Sequence, residues 1–136
     1  MIYKILLIEN HPVVRQNYNL LIAGEGDMEV CGEAASGADA LSLVARTHPH
    51  VAVLDISLQS AFDGLHLLQH LHEEHPDLKI LVVSGHDERF YGERVLEMGA
   101  CGYVMKGDAL AFLEGLRVVA QGRVYGNGMD VAGPDD

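Results

Sequence analysis

Polar residues close four apolar runs in this 136-residue chain. Glu9 and Asn10 follow Tyr3–Ile8, Asp55 follows Val51–Leu54, Ser84 follows Lys79–Val83, and Lys106 follows Cys101–Met105. Two carboxylates, an amide oxygen, a hydroxyl and an ammonium together have the chemistry of a phosphoryl site assisted by a hard cation. Mg2+ takes oxygen ligands from one or two carboxylates and completes its shell with water and phosphoryl oxygens. Lysine supplies a mobile point charge for a phosphoryl oxygen, and serine a donor. Any one such residue could simply mark where a strand stops. The joint pattern is harder to dismiss.

Those residues meet only if the intervening elements bring them to one edge. Five short β-rich runs are legible: Tyr3–Ile8, Glu29–Ala34, Val51–Leu54, Lys79–Val83 and Cys101–Met105. Between them lie segments of helical period, with stripes Val14, Tyr18 and Leu21; Leu41, Val44 and Ala45; Leu65, Leu68 and Leu71; and Phe112, Leu116 and Val119. Ser36-Gly37-Ala38-Asp39 resembles a capping box, Asp87 and Asp108 stand before helical segments, and Gly99 and Gly122 suit helix C-caps. Strands that are apolar on both faces and alternate with helices predict an α/β, doubly wound, five-stranded parallel sheet with helices on both faces. In such sheets ligands bind outside the carboxyl ends of the strands. That is where the polar residues fall.

Composition narrows the partners. A chain of this length buries enough surface for one core without disulfides. No apolar run approaches the ~20 residues of a membrane span, and the start lacks a leader pattern, so a cytoplasmic location is expected with no membrane contact. Cys31 and Cys101 lie in apolar segments without metal or disulfide spacing, and are read as buried thiols. A formal charge of −11 disfavours direct contact with a nucleic-acid backbone and favours proteins or cations. The segment His66–His75 carries His66 and His70 one helical turn apart, but with no fixed third ligand it reads as a solvated helix face with adventitious zinc affinity at most. Residues 123–136, rich in Gly and Asp, read as a linker or disordered tail after a domain spanning 1–122.

Taken in order, Glu9-Asn10-His11-Pro12, Val51-Ala52-Val53-Leu54-Asp55-Ile56, Asp63-Gly64, Val82-Val83-Ser84-Gly85-His86 and Gly99-Ala100-Cys101-Gly102-Tyr103-Val104-Met105-Lys106 resemble the receiver domain of bacterial two-component response regulators. The likeness runs from about residue 2 to residue 122. With Val30-Cys31-Gly32-Glu33-Ala34 and the His-Pro pair, it is strongest to receivers that precede LuxR-type helix-turn-helix output domains. The resemblance implies a flavodoxin-like strand order, 2-1-3-4-5. It implies that Asp55 accepts a phosphoryl group from a sensor histidine kinase or phosphotransfer protein, and that Glu9, Asn10, Asp55 and the main-chain carbonyl of Ser57 surround Mg2+. Lys106 would contact the phosphoryl group, Ser84 would be the switch hydroxyl, and Tyr103 the aromatic residue that turns inward behind it.

Such a domain is a signalling phosphoacceptor rather than an ordinary enzyme, with Mg2+-assisted phosphotransfer to itself and slow autodephosphorylation. Phosphorylation would repack the surface of the fourth helix, fifth strand and fifth helix, used for homodimerisation or for controlling an output domain, with transcription as the regulated process and DNA reached only through that output domain. Phosphate adds about −1.5 to −2 charges and biases a two-state element.

Three departures stand out. Asn10 replaces an acidic metal ligand, and an amide oxygen brings no net charge, which predicts weakened Mg2+ binding and slowed phosphorylation. The loop from Asp55 to Gly64 lacks the common proline and is one residue longer than usual, and Gly107 stands where many receivers carry proline. A pseudo-receiver, whose partner reads the fold without phosphotransfer, is the alternative these departures motivate. A flavin or nucleotide carrier of the same architecture would need a phosphate cradle that Glu9-Asn10-His11-Pro12 does not supply.

Overall fold

The computed structural model describes residues 1–56, 61–85, 88–126 and 129–131. Strands and helices alternate as β1 (Tyr3–Ile8), α1 (Pro12–Ala23), β2 (Met28–Ala34), α2 (Gly37–Thr47), β3 (Val51–Asp55), α3 (Ala61–Glu74), β4 (Lys79–Ser84), α4 (Glu88–Glu97), β5 (Gly102–Met105) and α5 (Ala109–Ala120). Two further strands follow, β6 (Val124–Gly126) and β7 (Met129–Val131). All lie in one sheet of order β2-β1-β3-β4-β5-β6-β7, parallel from β2 to β6 with β7 antiparallel at the end.

The central strands are apolar on both faces because both are covered. Leu6, Ile8, Ala52, Leu54, Ile80 and Val82 pack with α2, α3 and α4, whereas Ile5, Leu7, Val51, Val53, Leu81 and Val83 pack with α1 and α5. The period-2 alternation of each strand thus feeds two cores at once. The helical stripes fall as read except at Ala45, which is exposed, because α2 turns Ala40 and Val44 toward the sheet. Local signals hold as well. Ser36 caps α2 by accepting from the Asp39 N–H at 3.2 Å, and Asp108 caps α5 through the Ala111 N–H at 3.0 Å. Gly99 and Gly122 take φ of 113° and 85° past the ends of α4 and α5. Asp87 lies outside the described residues.

The five-stranded sheet is corrected to seven. Residues 124–126 and 129–131, read as part of a linker or tail, extend it beyond β5. Burial is the physical reason: Tyr125 is fully buried in the α1/α5 core, and its N–H donates to the Cys101 carbonyl at 3.0 Å. A Cβ on Gly102 would lie 2.8 Å from the Tyr125 carbonyl oxygen, so only glycine lets β6 approach β5 this closely. The thiols are corrected too. Cys31 and Cys101 are half-buried. Cys31 is the extra residue where β2 slips register against Ile5 and Leu6, and Cys101 sits just ahead of β5.

Candidate functional site

Register delivers the polar residues to one edge. Ile8 pairs with Leu54, Asp55 with Val83, and Ser84 with Met105, so the residues ending β1, β3, β4 and β5 stand side by side. The Lys106 N–H donates to the Ser84 carbonyl at 2.8 Å, which fixes the start of the loop that carries the lysine. Across the sheet, α3 passes so near the end of β3 that a Cβ on Gly64 would lie 2.6 Å from Ile56 Cα and 2.7 Å from its carbonyl oxygen. The Asp63-Gly64 signature is therefore partly a packing requirement.

Glu9 and Asp55 are both fully buried. The Lys106 ammonium lies 2.7 Å from Asp55 Oδ2 and 3.9 Å from Glu9 Oε2, its own side chain 26% exposed. Lysine thus bridges two carboxylates whose mutual repulsion would otherwise be unscreened. Burial pushes the Glu9 carboxyl above its ordinary range, the neighbouring Asp55 carboxyl adds to the rise, and hydrogen bonds from His11 partly oppose it.

His11, part of the motif that closes the first strand, has a role that the sequence pattern does not reveal. It occupies the N-cap position of α1, yet its side chain does not cap the helix. Instead Nδ1 lies 2.6 Å from Glu9 Oε1, which also accepts the His11 backbone N–H at 3.0 Å. Arg15 Nη1 donates to the Glu9 carbonyl at 2.8 Å while its Nε donates to Glu33 Oε1 at 3.0 Å, tying the end of β1 to α1 and β2. Spacing gave no sign of either contact beyond the proximity of residues 9 to 15.

A hard cation fits what is left. Glu9 Oε2 and Asn10 Oδ1 are buried oxygens without a hydrogen-bond partner, and donor atoms of Glu9, His11 and Asp55 all lie within 4.8 Å of one another. Orphaned buried oxygens cost free energy unless something satisfies them. The Ser57 carbonyl lies outside the described residues. Ser84 is buried at the strand end, and Tyr103 is 6% exposed, with its ring wedged between glycines: a Cβ on Gly92 would fall 2.2 Å from Tyr103 Cζ, and one on Gly126 2.8 Å from a ring carbon. The α3 histidines do not join any other metal-ligating group among the described residues.

Residues 5–114 match the family model described as "Response regulator receiver domain". The chain belongs to that family. It is a receiver domain, a signalling module rather than a classical enzyme. Over 123 residues, 90% of this receiver, it is 36% identical to "Transcriptional regulatory protein DegU" of Brevibacillus brevis and 34% identical to "Oxygen regulatory protein NreC" of a Staphylococcus epidermidis strain. These matches cover 52% and 56% of those proteins, so the receiver spans about half the length of the curated relatives it matches. Among solved structures, a two-component response regulator of the LuxR family from Aurantimonas sp. SI85-9A1 is 28% identical with a TM-score of 0.85, covering 99% of this chain and 92% of that one. The isolated receiver of RcsB from Salmonella enterica serovar Typhimurium, in the presence of phosphomimetic BeF3-, shares the fold at 19% identity with a TM-score of 0.83, covering 93% and 94%. No described helix is long and apolar enough to cross a membrane.

Proposed function

We propose that this receiver accepts a phosphoryl group on Asp55 from a sensor histidine kinase or phosphotransfer protein in the cytoplasm, and passes the event to a transcriptional output domain outside these residues. The observation that carries the proposal is the buried Asp55 carboxylate, with the Lys106 ammonium at 2.7 Å and Glu9 Oε2, which makes no hydrogen bond, facing the same ammonium at 3.9 Å. In the transfer an Asp55 oxygen forms the O–P bond as the P–N bond to the donor histidine breaks, leaving that electron pair on the imidazole nitrogen. Lys106 moves with the developing charge, trading part of its contact with Asp55 for a phosphoryl oxygen. Glu9, Asn10 and Asp55, with the Ser57 carbonyl, would hold Mg2+, which when bound supplies charge neutralisation at the phosphoryl oxygens.

Ser84 follows the phosphoryl group as a donor, and Tyr103 fills the space behind it. Because Tyr103 is wedged between Gly92 of α4 and Gly126 of β6, movement of its ring bears on both elements. The responding surface is therefore α4, β5 and α5 together with β6, which covers the edge of β5, and it serves homodimerisation or output contact. The receiver unit on this reading runs through β7 rather than ending at residue 122, and DNA is bound only by the output domain.

Asn10 favours a second reading, a pseudo-receiver that works without phosphotransfer, because a neutral amide weakens the cation corner. The two readings part on one experiment. Incubation with Mg2+ and acetyl phosphate is expected to give a single phosphoryl adduct by intact mass, absent from Asp55→Ala. No adduct even with a cognate kinase, together with intact signalling by Asp55→Ala, would establish the pseudo-receiver. Asn10→Asp should strengthen Mg2+ binding, and unchanged affinity would refute the electrostatic account of position 10.

A further inference from the structure

We propose that His11 is a direct ligand of the cation corner and tunes it away from Mg2+ toward first-row transition dications. This rests on the reading of Glu9 and Asp55 as a metal site, and extends it to a nitrogen donor. Three donor groups of two types converge here: the Glu9 and Asp55 carboxylates and the His11 imidazole, all within 4.8 Å of one another. The corner is more than a cluster of acids. Glu9 is fully buried, its Oε2 has no hydrogen-bond partner, and the Lys106 ammonium that touches Asp55 also faces that oxygen.

The geometry suits insertion of an ion between His11 and Glu9. Nδ1 and Oε1 are 2.6 Å apart, while two adjacent ligands each ~2.1 Å from one cation stand roughly 3 Å apart. Spreading them by a few tenths of an ångström is easy for a side chain that is 55% exposed and bound to no cap of its own helix. Chemistry then sets the preference. Mg2+ holds to oxygen ligands and water, whereas imidazole suits the later first-row dications, whose affinities rise from Mn2+ toward Cu2+. With Asn10 contributing an oxygen but no charge, the corner has lost what most favours Mg2+ and kept a nitrogen that favours its rivals.

The test uses Mn2+ as probe in the full chain carrying His66→Ala and His70→Ala, so that the α3 pair supplies no nitrogen. Pulsed EPR of the bound Mn2+ is expected to show 14N coupling from one imidazole, and His11→Ala to abolish it. Calorimetry is expected to show about tenfold weaker Mn2+ binding in His11→Ala with Mg2+ binding changed less than twofold, the scale on which a metal site responds to loss of a supporting group. His11→Gln, which can still donate to Glu9, separates ligation from positioning: its Mn2+ affinity is expected to fall as far as that of His11→Ala, and affinity retained in it overturns the ligand role. Bound Mn2+ without 14N coupling, or coupling that survives in His11→Ala, overturns the ligand role of His11 while leaving the Glu9–Asp55 corner standing. Failure of both Mn2+ and Mg2+ to bind overturns the metal corner itself.

Discussion

Lys106→Met probes the electrostatics of the site most sharply. Methionine keeps most of the apolar stem and removes the charge. Glu9 and Asp55, both fully buried with facing oxygens within 4.8 Å, then confront each other without the ammonium that lies 2.7 and 3.9 Å from them. Two unit charges at that separation repel by about 3 kcal/mol at an effective dielectric of 20. The lysine is 26% exposed, so water already screens part of its field, and the expected loss of stability at neutral pH in EDTA is about 2–3 kcal/mol. For a domain of this length that is a fall of about 6–12 °C in Tm. Urea and thermal unfolding followed by far-UV circular dichroism give the number directly. Millimolar Mg2+ should recover at least half of it, because a divalent cation at Glu9 and Asp55 replaces the missing charge. A variant as stable as the parent in EDTA, or one that Mg2+ does not rescue, would refute the claim that these carboxylates share one cationic partner.

Other substitutions test the scaffold. Gly64→Ala is expected to cost about 3 kcal/mol, since the new Cβ meets backbone atoms of Ile56 at 2.6 and 2.7 Å that cannot step aside; a neutral effect in urea unfolding would contradict the packing. Gly92→Ala places a methyl 2.2 Å from Tyr103 Cζ, which predicts a loss of about 1–3 kcal/mol and a more exposed ring, read as increased nitration of Tyr103 by peptide mass spectrometry. Arg117 of α5 bonds Glu25 and, at 2.9 Å, Asp27, and holds the Asp27 carboxyl below its ordinary range. A lowered acid stabilises the fold above its unfolded pKa of about 3.9, and that contribution disappears as pH falls through the lower folded value. Arg117→Met should therefore cost less than about 1 kcal/mol at pH 7, the pair being substantially exposed, and less again as pH falls through the lowered Asp27 value.

Much of the fold was legible because burial on both faces writes strands as unbroken apolar runs. The parallel order followed from their alternation with helices. β6 and β7 were not legible, because three-residue strands among glycines carry no period. The available signal was Tyr125, an aromatic residue inside a supposed linker, which is fully buried. At the site, Glu9, Asp55, Ser84 and Lys106 were found because residues ending parallel strands must share an edge. His11 was not assigned, since its contact with Glu9 depends on a side chain turned away from capping its own helix. Gly92 likewise has no local signature: its role exists only because Tyr103 lies against it.

The central claim is that Asp55 is the phosphoacceptor of a site built by Glu9 and Lys106. Peptide-level mass spectrometry after treatment with acetyl phosphate and Mg2+, with borohydride trapping of the acyl phosphate, tests it most directly. The account predicts one modified residue, Asp55, with the modification lost in EDTA and in Asp55→Asn. Modification at another carboxylate, or a label that persists in Asp55→Asn, would contradict it.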